Sequence, residues 1–249
     1  MKAIVIAAGS GKRIGEESKN LPKYLLKINE KTIMEYQVEA YQKHGIEQIV
    51  IITGPNKEKF TATEFTYVED KNYEKHDILG SLMEARKHIV GDVLIAYSDI
   101  IFDDVVLSKI IESKGDIGIA IDLKWEKSYV GRTDHTRAEA ENITLDKNQN
   151  VIEIRKDIPP DPKKTIGEFL GIMKLTSRGS EIFVKRFEDL EKSHIGQFHN
   201  APSLGKAYLT DMIQELIDSK IKVTPILVSG RWCEIDTQQD LQRASKLFL

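Results

Sequence analysis

A buried strand that runs straight into glycines constrains this chain more than any other feature. Ala3-Ile4-Val5-Ile6-Ala7-Ala8 is apolar without interruption and leads into Gly9-Ser10-Gly11-Lys12-Arg13, with Leu21-Pro22-Lys23 close behind. Glycine lets the backbone turn sharply, so several N–H groups can face one anion. Lys12, Arg13 and Lys23 set positive charge beside that turn. Two familiar phosphate loops are excluded. The dinucleotide fingerprint needs a third glycine at position 14, where Ile14 stands, and the P-loop needs one at position 6, where Ile6 stands. A glycine loop alone also describes a plain tight turn between strand and helix. The Pro22-Lys23 pair is what sharpens the phosphate reading.

Composition narrows the class. A chain of 249 residues, 41% hydrophobic and 30% charged, can build one large α/β domain or two small ones. A net charge of −3 gives no reason to expect nucleic acid or an anionic membrane surface as partner. Cys233 is the only cysteine, so no intrachain disulfide forms, which fits a reducing, cytoplasmic setting. The chain enters its first strand with no secretory leader pattern, and no apolar run approaches the roughly 20 residues of a membrane span.

The pattern then alternates strand and helix. Thr32 and Glu35 form a capping box ahead of a stripe of Ile33, Tyr36, Ala40 and Tyr41 that ends at Gly45. Gln48–Thr53, Val93–Tyr97 and Ile117–Ile121 read as strands, and Thr66–Val68 as a shorter one. Leu79, Leu82, Met83, Arg86 and Ile89 have helical spacing, and Val105–Glu112 is a short helix with Asp103 and Asp104 as cap candidates. Apolar strands between helices imply a mostly parallel sheet covered on both faces, with ligands bound beyond the carboxyl ends of the strands. After Asp122 the pattern changes. Glu141–Ile154 reads as a hairpin, Gly167–Leu175 as a strand, and Ser180 as the cap of a helix bearing Phe183, Phe187 and Leu190. His194–Gly205 reads as a loop, Thr210 opens another helix, Val223–Val228 is a strand, and Thr237 caps the last helix. With no internal repeat or linker, residues 1–249 are expected to form one domain: a nucleotide-binding half, 1–122, and an acceptor-binding half, 123–249, with a lid and a C-terminal helix.

Two acids matter most. Asp99 falls just past the end of a parallel strand, where a hydrated Mg²⁺ held by one or two carboxylates and substrate phosphates can meet it. It can equally be an exposed loop carboxylate. Asp236 precedes Thr237 and can equally be an acid placed by the helix dipole.

The opening motif, Tyr97-Ser98-Asp99, Glu168-Phe169-Leu170-Gly171 and Trp232-Cys233-Glu234-Ile235-Asp236-Thr237 together resemble, over essentially the whole chain, the nucleotidyltransferases that activate sugar phosphates and alcohol phosphates. The likeness is greatest to the cytidylyltransferases for phosphocholine and 2-aminoethylphosphonate. The resemblance implies a Rossmann-like α/β/α sandwich with a mostly parallel mixed sheet and a small lid of added strands. It implies that Asp99 and Asp236 hold Mg²⁺ and that Arg13 and Lys23 act on the triphosphate. Ala7, Ala8, Gly9, Ser10, Gly11 and Lys12 would then cradle the phosphates. Asp77, Gly80 and Ser81 fall in the segment that contacts base and ribose, where the phosphocholine enzymes carry asparagine in place of Asp77. Asp77 can accept a hydrogen bond from an exocyclic amine, which cytosine has and uracil lacks.

The implied chemistry needs no protein nucleophile or base. An anionic phosphate or phosphonate oxygen attacks the α-phosphorus of a nucleoside triphosphate, CTP by resemblance, and pyrophosphate leaves. For the acceptor, the second half offers the aromatics Trp125, Tyr129, Tyr208 and Trp232 and the acids Glu168, Asp211 and Glu234, a mixture suited to a cationic head group. These aromatics are equally ordinary core or rim residues. A sugar-1-phosphate nucleotidyltransferase and a non-catalytic nucleotide-binding domain of the same fold are the other readings. Sugar enzymes of this kind often carry a hexapeptide β-helix, for which this sequence has no repeat. The retention of Arg13, Lys23, Asp99 and Asp236 together argues against a mere binding module. The reading expects neither nucleic acid nor membrane insertion, and leaves a homodimer open.

Overall fold

The computed structural model describes residues 1–9, 14 and 21–249. In chain order the first half contains β1 (Lys2–Ala7), β2 (Lys27–Ile28), β3 (Lys31–Thr32), α1 (Ile33–Lys43), β4 (Gln48–Thr53), β5 (Thr66–Glu69), α2 (Ile78–Glu84), β6 (Val93–Tyr97), β7 (Ile100–Phe102), α3 (Asp104–Glu112) and β8 (Ile117–Asp122). The second contains β9 (Glu141–Leu145), β10 (Val151–Lys156), β11 (Thr165–Leu175), α4 (Ser177–Ser193), α5 (Leu209–Asp218), β12 (Thr224–Leu227), β13 (Trp232–Glu234) and α6 (Gln238–Leu247).

The apolar run of β1 makes it a central strand. It pairs in parallel with β4 on one side and β6 on the other, and β5 extends the sheet beyond β4. Successive residues alternate between two cores. Ile4 and Ile6 face α2, α4 and α5 through Leu79, Phe183 and Met212; Ala3, Val5 and Ala7 face α1 and α3 through Ile33 and Val106. Burial on both faces explains why the strand reads as continuous rather than alternating. The fold is the expected α/β sandwich with a mostly parallel mixed sheet.

β11 joins the two halves. Its second part, Ile172–Leu175, lies antiparallel to β6, and its first part, Thr165–Glu168, pairs with β9. Its other edge pairs with β8, which carries β12 in parallel. The switch of partner happens at Gly171, whose φ is +67°. A Cβ there would fall 2.3 Å from the Tyr97 ring, so only glycine lets β11 bend around that ring. Because β11 runs against β6, its early residue Glu168 lies at the carboxyl end of the parallel strands.

Most expected elements appear within a residue or two. The Thr32–Glu35 capping box is present, Asp103 caps α3 through Val106 N–H at 3.2 Å, and Thr237 caps α6. Three boundaries need correction. α4 is capped by Thr176, not Ser180; Thr176 Oγ1 accepts from Gly179 N–H, while the Ser180 hydroxyl donates to the Gly91 carbonyl at 2.8 Å. α5 opens on Leu209 with Tyr208 at its N-cap rather than at Thr210. The helix expected to run from Leu79 to Ile89 stops at Glu84 and continues as a 3₁₀ turn, Arg86–His88. The two-stranded β7–β13 sheet was not foreseen as such. Among the described residues, no helix is long and apolar enough to cross a membrane.

Candidate active site

Lys23, Asp99 and Asp236 come from three distant parts of the chain and meet at the carboxyl end of β6. The Lys23 Nζ lies 2.9 Å from Asp99 Oδ2 and 2.5 Å from Asp236 Oδ1. Local structure explains each position. Pro22 leads into a 3₁₀ turn that buries Tyr24 and leaves Lys23 pointing at the two acids. Asp99 sits on the turn between β6 and β7. Pairing of β7 with β13 brings the C-terminal segment alongside, and the Ile235 N–H donates to the Asp99 carbonyl at 2.8 Å. One buried amide ties these turns together. Gln37, on α1, donates through Nε2 to the carbonyls of Tyr97 and Ile100 at 2.8 and 2.7 Å. Its Oε1 accepts from the hydroxyls of Tyr24 and Tyr41 at 3.0 and 3.2 Å.

Burial opposes the positive charge of Lys23, but Asp99 and Asp236 outweigh it and hold the ammonium above its ordinary pKa. Asp99 Oδ1 is buried with no hydrogen-bond partner among the described residues. Asp236 Oδ2 lies 2.8 Å from His135 Nδ1. Two carboxylates thus converge on one cation with further oxygens turned inward, a donor set that suits a hard divalent ion.

A pocket opens beside this cluster, lined by Tyr97, Asp99, Glu141, Glu168, Trp232 and Glu234 among others. The Tyr97 hydroxyl donates to Glu141 Oε2 at 3.2 Å, the Tyr129 hydroxyl to Glu168 Oε1 at 2.5 Å, and the Trp232 indole to Asp122 Oδ2 at 3.0 Å. Glu168 Oε2 is buried and has no partner among the described residues. Burial pushes Glu141 up to about 8, with Lys156 pulling it down and Glu234 adding to the rise. Burial likewise pushes Glu168 well above the usual carboxylate range, helped by the charge of Glu234. Glu234 itself is raised by burial and by Asp236 and Asp99.

Of the residues singled out in the sequence, the structure brings Lys23, Asp99, Asp236, Glu168 and Trp232 together. Tyr129 joins through Glu168. Trp125 does not line the pocket; it packs edge-on against Tyr129 with centroids 5.6 Å apart and under the Arg137 guanidinium. Asp211 is no pocket acid. Its carboxylate accepts from Tyr208 N–H at 2.8 Å and Asn200 N–H at 3.2 Å, which caps α5, and Tyr208 lies beneath the Lys156 ammonium. The Ser81 hydroxyl donates to buried Asp70 at 2.7 Å, and a Cβ on Gly80 would strike the Gly205 carbonyl at 2.4 Å. Asp77 stands at the N-cap of α2 without capping it, its carboxylate 4.0 Å from Lys206 Nζ, and burial raises its pKa. β1 ends at Ala7, one residue short of the apolar run, and Ala8 follows it as a buried residue outside the strand. A Cβ at Gly9 would meet nothing within 4 Å, whereas one on Gly54 would strike the Ala8 carbonyl at 2.3 Å. Ser10, Gly11, Lys12 and Arg13 lie outside the described residues. Tyr97, His135 and Glu141 were missed as site residues, while Arg132, a candidate for an acceptor phosphate in the sequence, pairs with Asp240 and Glu234. Tyr97 lay inside a quoted motif, but His135 and Glu141 are single polar residues with no periodic or spacing signal.

The domain family described as MobA-like NTP transferase domain matches residues 3–136, more than half of the chain. The chain belongs to that family. Relatives of this MobA-like NTP transferase include the CTP:phosphoglutamine cytidylyltransferase of Campylobacter jejuni, 25% identical over 97% of this chain and 98% of that protein. The choline-phosphate cytidylyltransferase of Streptococcus pneumoniae is 31% identical over 45% of this chain and 51% of its own length. The bifunctional protein GlmU of Methanocaldococcus jannaschii is 28% identical over 100% of this chain, which spans 54% of it. Among solved structures, the CTP:phosphocholine cytidylyltransferase of Streptococcus pneumoniae superposes with a TM-score of 0.73 at 21% identity, covering 100% of this chain and 99% of that one. The inositol-1-phosphate CTP transferase of T. maritima gives 0.74 at 20% identity, covering 99% and 94%. At such identities the structural likeness fixes the fold. Family membership and these relatives make the chain a nucleotidyltransferase of the cytidylyltransferase and sugar-phosphate type.

Proposed function

We propose that this MobA-like NTP transferase moves a cytidylyl group from CTP to a small phosphorylated or phosphonylated acceptor with a nitrogen-bearing head group. Pyrophosphate is the other product. One observation carries the acceptor reading: the pocket beside Lys23, Asp99 and Asp236 combines Tyr97 and Trp232 with Glu141, Glu168 and Glu234. Aromatic faces and carboxylates together recognise an ammonium or an amide better than they recognise a sugar ring. The relatives that use CTP support the donor, as does Asp77, whose carboxylate can accept from an exocyclic amine.

In this reading Asp99 and Asp236 would hold Mg²⁺. Their convergent oxygens and the buried Asp99 Oδ1, unpartnered among the described residues, fit a hard cation. When bound, the ion would neutralise phosphate charge and template the two anions. Lys23 then moves its ammonium to the α-phosphate, where negative charge grows as the acceptor oxygen bonds to phosphorus and the bond to the bridging oxygen breaks. In the same reading Arg13 would act with Lys23 on the triphosphate, and backbone N–H groups from Gly9 to Lys12 would hold the departing pyrophosphate. Gln37 keeps the turns of Lys23 and Asp99 in register. Glu168, fixed by Tyr129, and Glu141, fixed by Tyr97, orient the acceptor head.

The relatives of the sugar-phosphate type span the whole of this chain and keep a second reading in play, an NDP-sugar synthase. A pyrophosphate-release screen separates the two. It crosses four nucleoside triphosphates with phosphocholine, a phosphorylated glutamine, 2-aminoethylphosphonate, inositol 1-phosphate and hexose 1-phosphates. The proposal expects CTP with a nitrogen-bearing acceptor to give the highest kcat/KM. A hexose 1-phosphate turned over fastest would promote the sugar reading.

A further inference from the structure

The two carboxylate oxygens of Asp236 meet side chains from two other parts of the chain. Oδ1 meets Lys23, and Oδ2 lies 2.8 Å from Nδ1 of His135. The other ring nitrogen, Nε2, lies 3.6 Å from Glu234 Oε2. His135 is 5% exposed, and neither ring nitrogen makes an aligned hydrogen bond to any described residue, so its approaches to Asp236 and Glu234 are close nitrogen–oxygen contacts. The imidazole therefore stands between two carboxylates that lie two residues apart at the end of β13. Without it, those acids would face each other across a buried gap.

The residue does not come from the element that carries Asp236. It belongs to the segment that follows β8, which is strapped to α6. Thr133 N–H donates to Gln239 Oε1 at 2.8 Å, Gln239 Nε2 donates to the Gly131 carbonyl at 3.0 Å, and Arg132 is paired with Asp240. Tyr129 of the same segment lies tilted against the His135 ring at 6.2 Å and holds Glu168. One short stretch thus touches both the acceptor pocket and the metal-side carboxylate.

We propose that His135 is a positioning residue for Asp236: it holds Oδ2 so that Oδ1 faces Lys23 and the divalent cation. The inference rests on the reading of Asp236 as a metal ligand. A carboxylate that binds a metal is normally oriented by an outer hydrogen-bond partner, and loss of such a partner typically costs 10–100-fold in metal affinity. An imidazole whose two nitrogens address Asp236 and Glu234 also keeps either acid from rotating into the other's place. Placing this residue on the acceptor-side segment makes the metal-side geometry depend on that segment being seated.

The test measures Mn²⁺ binding to the full-length chain by electron paramagnetic resonance, with CTP present. His135→Ala should weaken Mn²⁺ binding by roughly 10–100-fold and lower kcat, with KM for CTP and the melting temperature little changed. His135→Asn, whose side-chain amide can donate from the place of Nδ1, should recover most of the Mn²⁺ affinity. His135→Leu fills the same space without a donor and replaces the alanine variant if that one fails to fold. Unchanged Mn²⁺ affinity in the donor-free variants overturns the proposal, as does an asparagine variant no better than alanine. Asp236→Asn tells the two readings apart. If it leaves Mn²⁺ affinity intact, the metal assignment itself is wrong; if it abolishes binding while His135→Ala does not, only the role of His135 is wrong.

Discussion

Asp240 and Glu168 are both buried carboxylates in the C-terminal half, and their surroundings treat them in opposite ways. Asp240, in the first turn of α6, has more donors than it has oxygens. Arg132 reaches Oδ1 at 2.7 Å and Oδ2 at 3.0 Å. The Asp236 N–H, Thr237 N–H and Thr237 hydroxyl all point at Oδ2, at 3.1, 2.9 and 2.8 Å. Burial alone would raise its pKa, but Arg132 and these donors bring it below the usual range. Among the described residues Glu168 has one donor, Tyr129, and an orphaned second oxygen, with the charge of Glu234 nearby, and its pKa is pushed up. A buried acid with its partners supplied is a structural part. A buried acid left short of them stores electrostatic tension that a bound ligand can relieve, and such groups gather at functional sites.

The largest expected effect lies on the structural side. Asp240→Ala leaves a buried guanidinium unpaired and strips the cap of α6, so it should cost about 3–5 kcal/mol of stability. Urea unfolding measures this, and a midpoint close to that of the parent would show that Asp240 is not the hub described. Next come the groups at the reacting centre. Lys23→Ala should lower kcat by roughly 10²–10³-fold, and Asp99→Asn or Asp236→Asn by roughly 10²-fold or more, with melting temperatures near the parent's. A falling melting temperature with unchanged kinetics would move any of these residues to the structural side of the comparison. Glu168→Gln should then raise KM for the acceptor several-fold and spare KM for the nucleotide; equal effects on both would remove Glu168 from the acceptor pocket.

The smallest effect is in pH. Glu141 is pushed up to about 8 in the folded chain, while in the unfolded chain it titrates near the ordinary carboxylate value of roughly 4.3. Between those values the native state binds the extra proton, so this group's contribution is fully present at low pH and is lost as pH rises through about 8. Glu141→Gln should flatten the fall in stability of the metal-free protein over that interval. Asp240 has the opposite sign: its contribution is present above the ordinary carboxylate pKa and is lost on acidification. Denaturation curves at several pH values resolve the two, and an unchanged slope in Glu141→Gln would contradict the assignment.

The first half of the fold was legible because its signals are local. Burial on both faces makes β1 continuously apolar, and the Thr32–Glu35 box marks the start of α1 wherever the helix ends up. The second half depends on pairings that no local pattern encodes. Gly167–Leu175 reads as a strand, but its place between β6 and β8, and its change of partner at Gly171, follow from which edges are open. Ser180 looks like a cap because it precedes an apolar stripe; the chain uses Thr176 because the helix begins a turn earlier. Asp99 and Asp236 were identified as a pair only through family likeness. The device that joins them, β7 against β13, is three residues long on each side and too short to read. His135, Arg132 and Gln37 each act through one or a few long-range contacts, and a single polar residue in a loop or on a helix gives no hint of them.

The central claim is that this chain transfers a nucleotidyl group at the Lys23, Asp99 and Asp236 centre. It is tested most directly by following the α-phosphate of CTP. The full-length protein is incubated with CTP labelled at the α-phosphorus, Mg²⁺ and a nitrogen-bearing phosphorylated acceptor, with and without a chelator. The account predicts that the label moves into an acceptor-linked product in step with pyrophosphate release, that chelation stops it, and that Lys23→Ala and Asp236→Asn nearly abolish it. Label transfer that survives chelation and both substitutions would contradict the account, as would pyrophosphate release at the same rate without any acceptor.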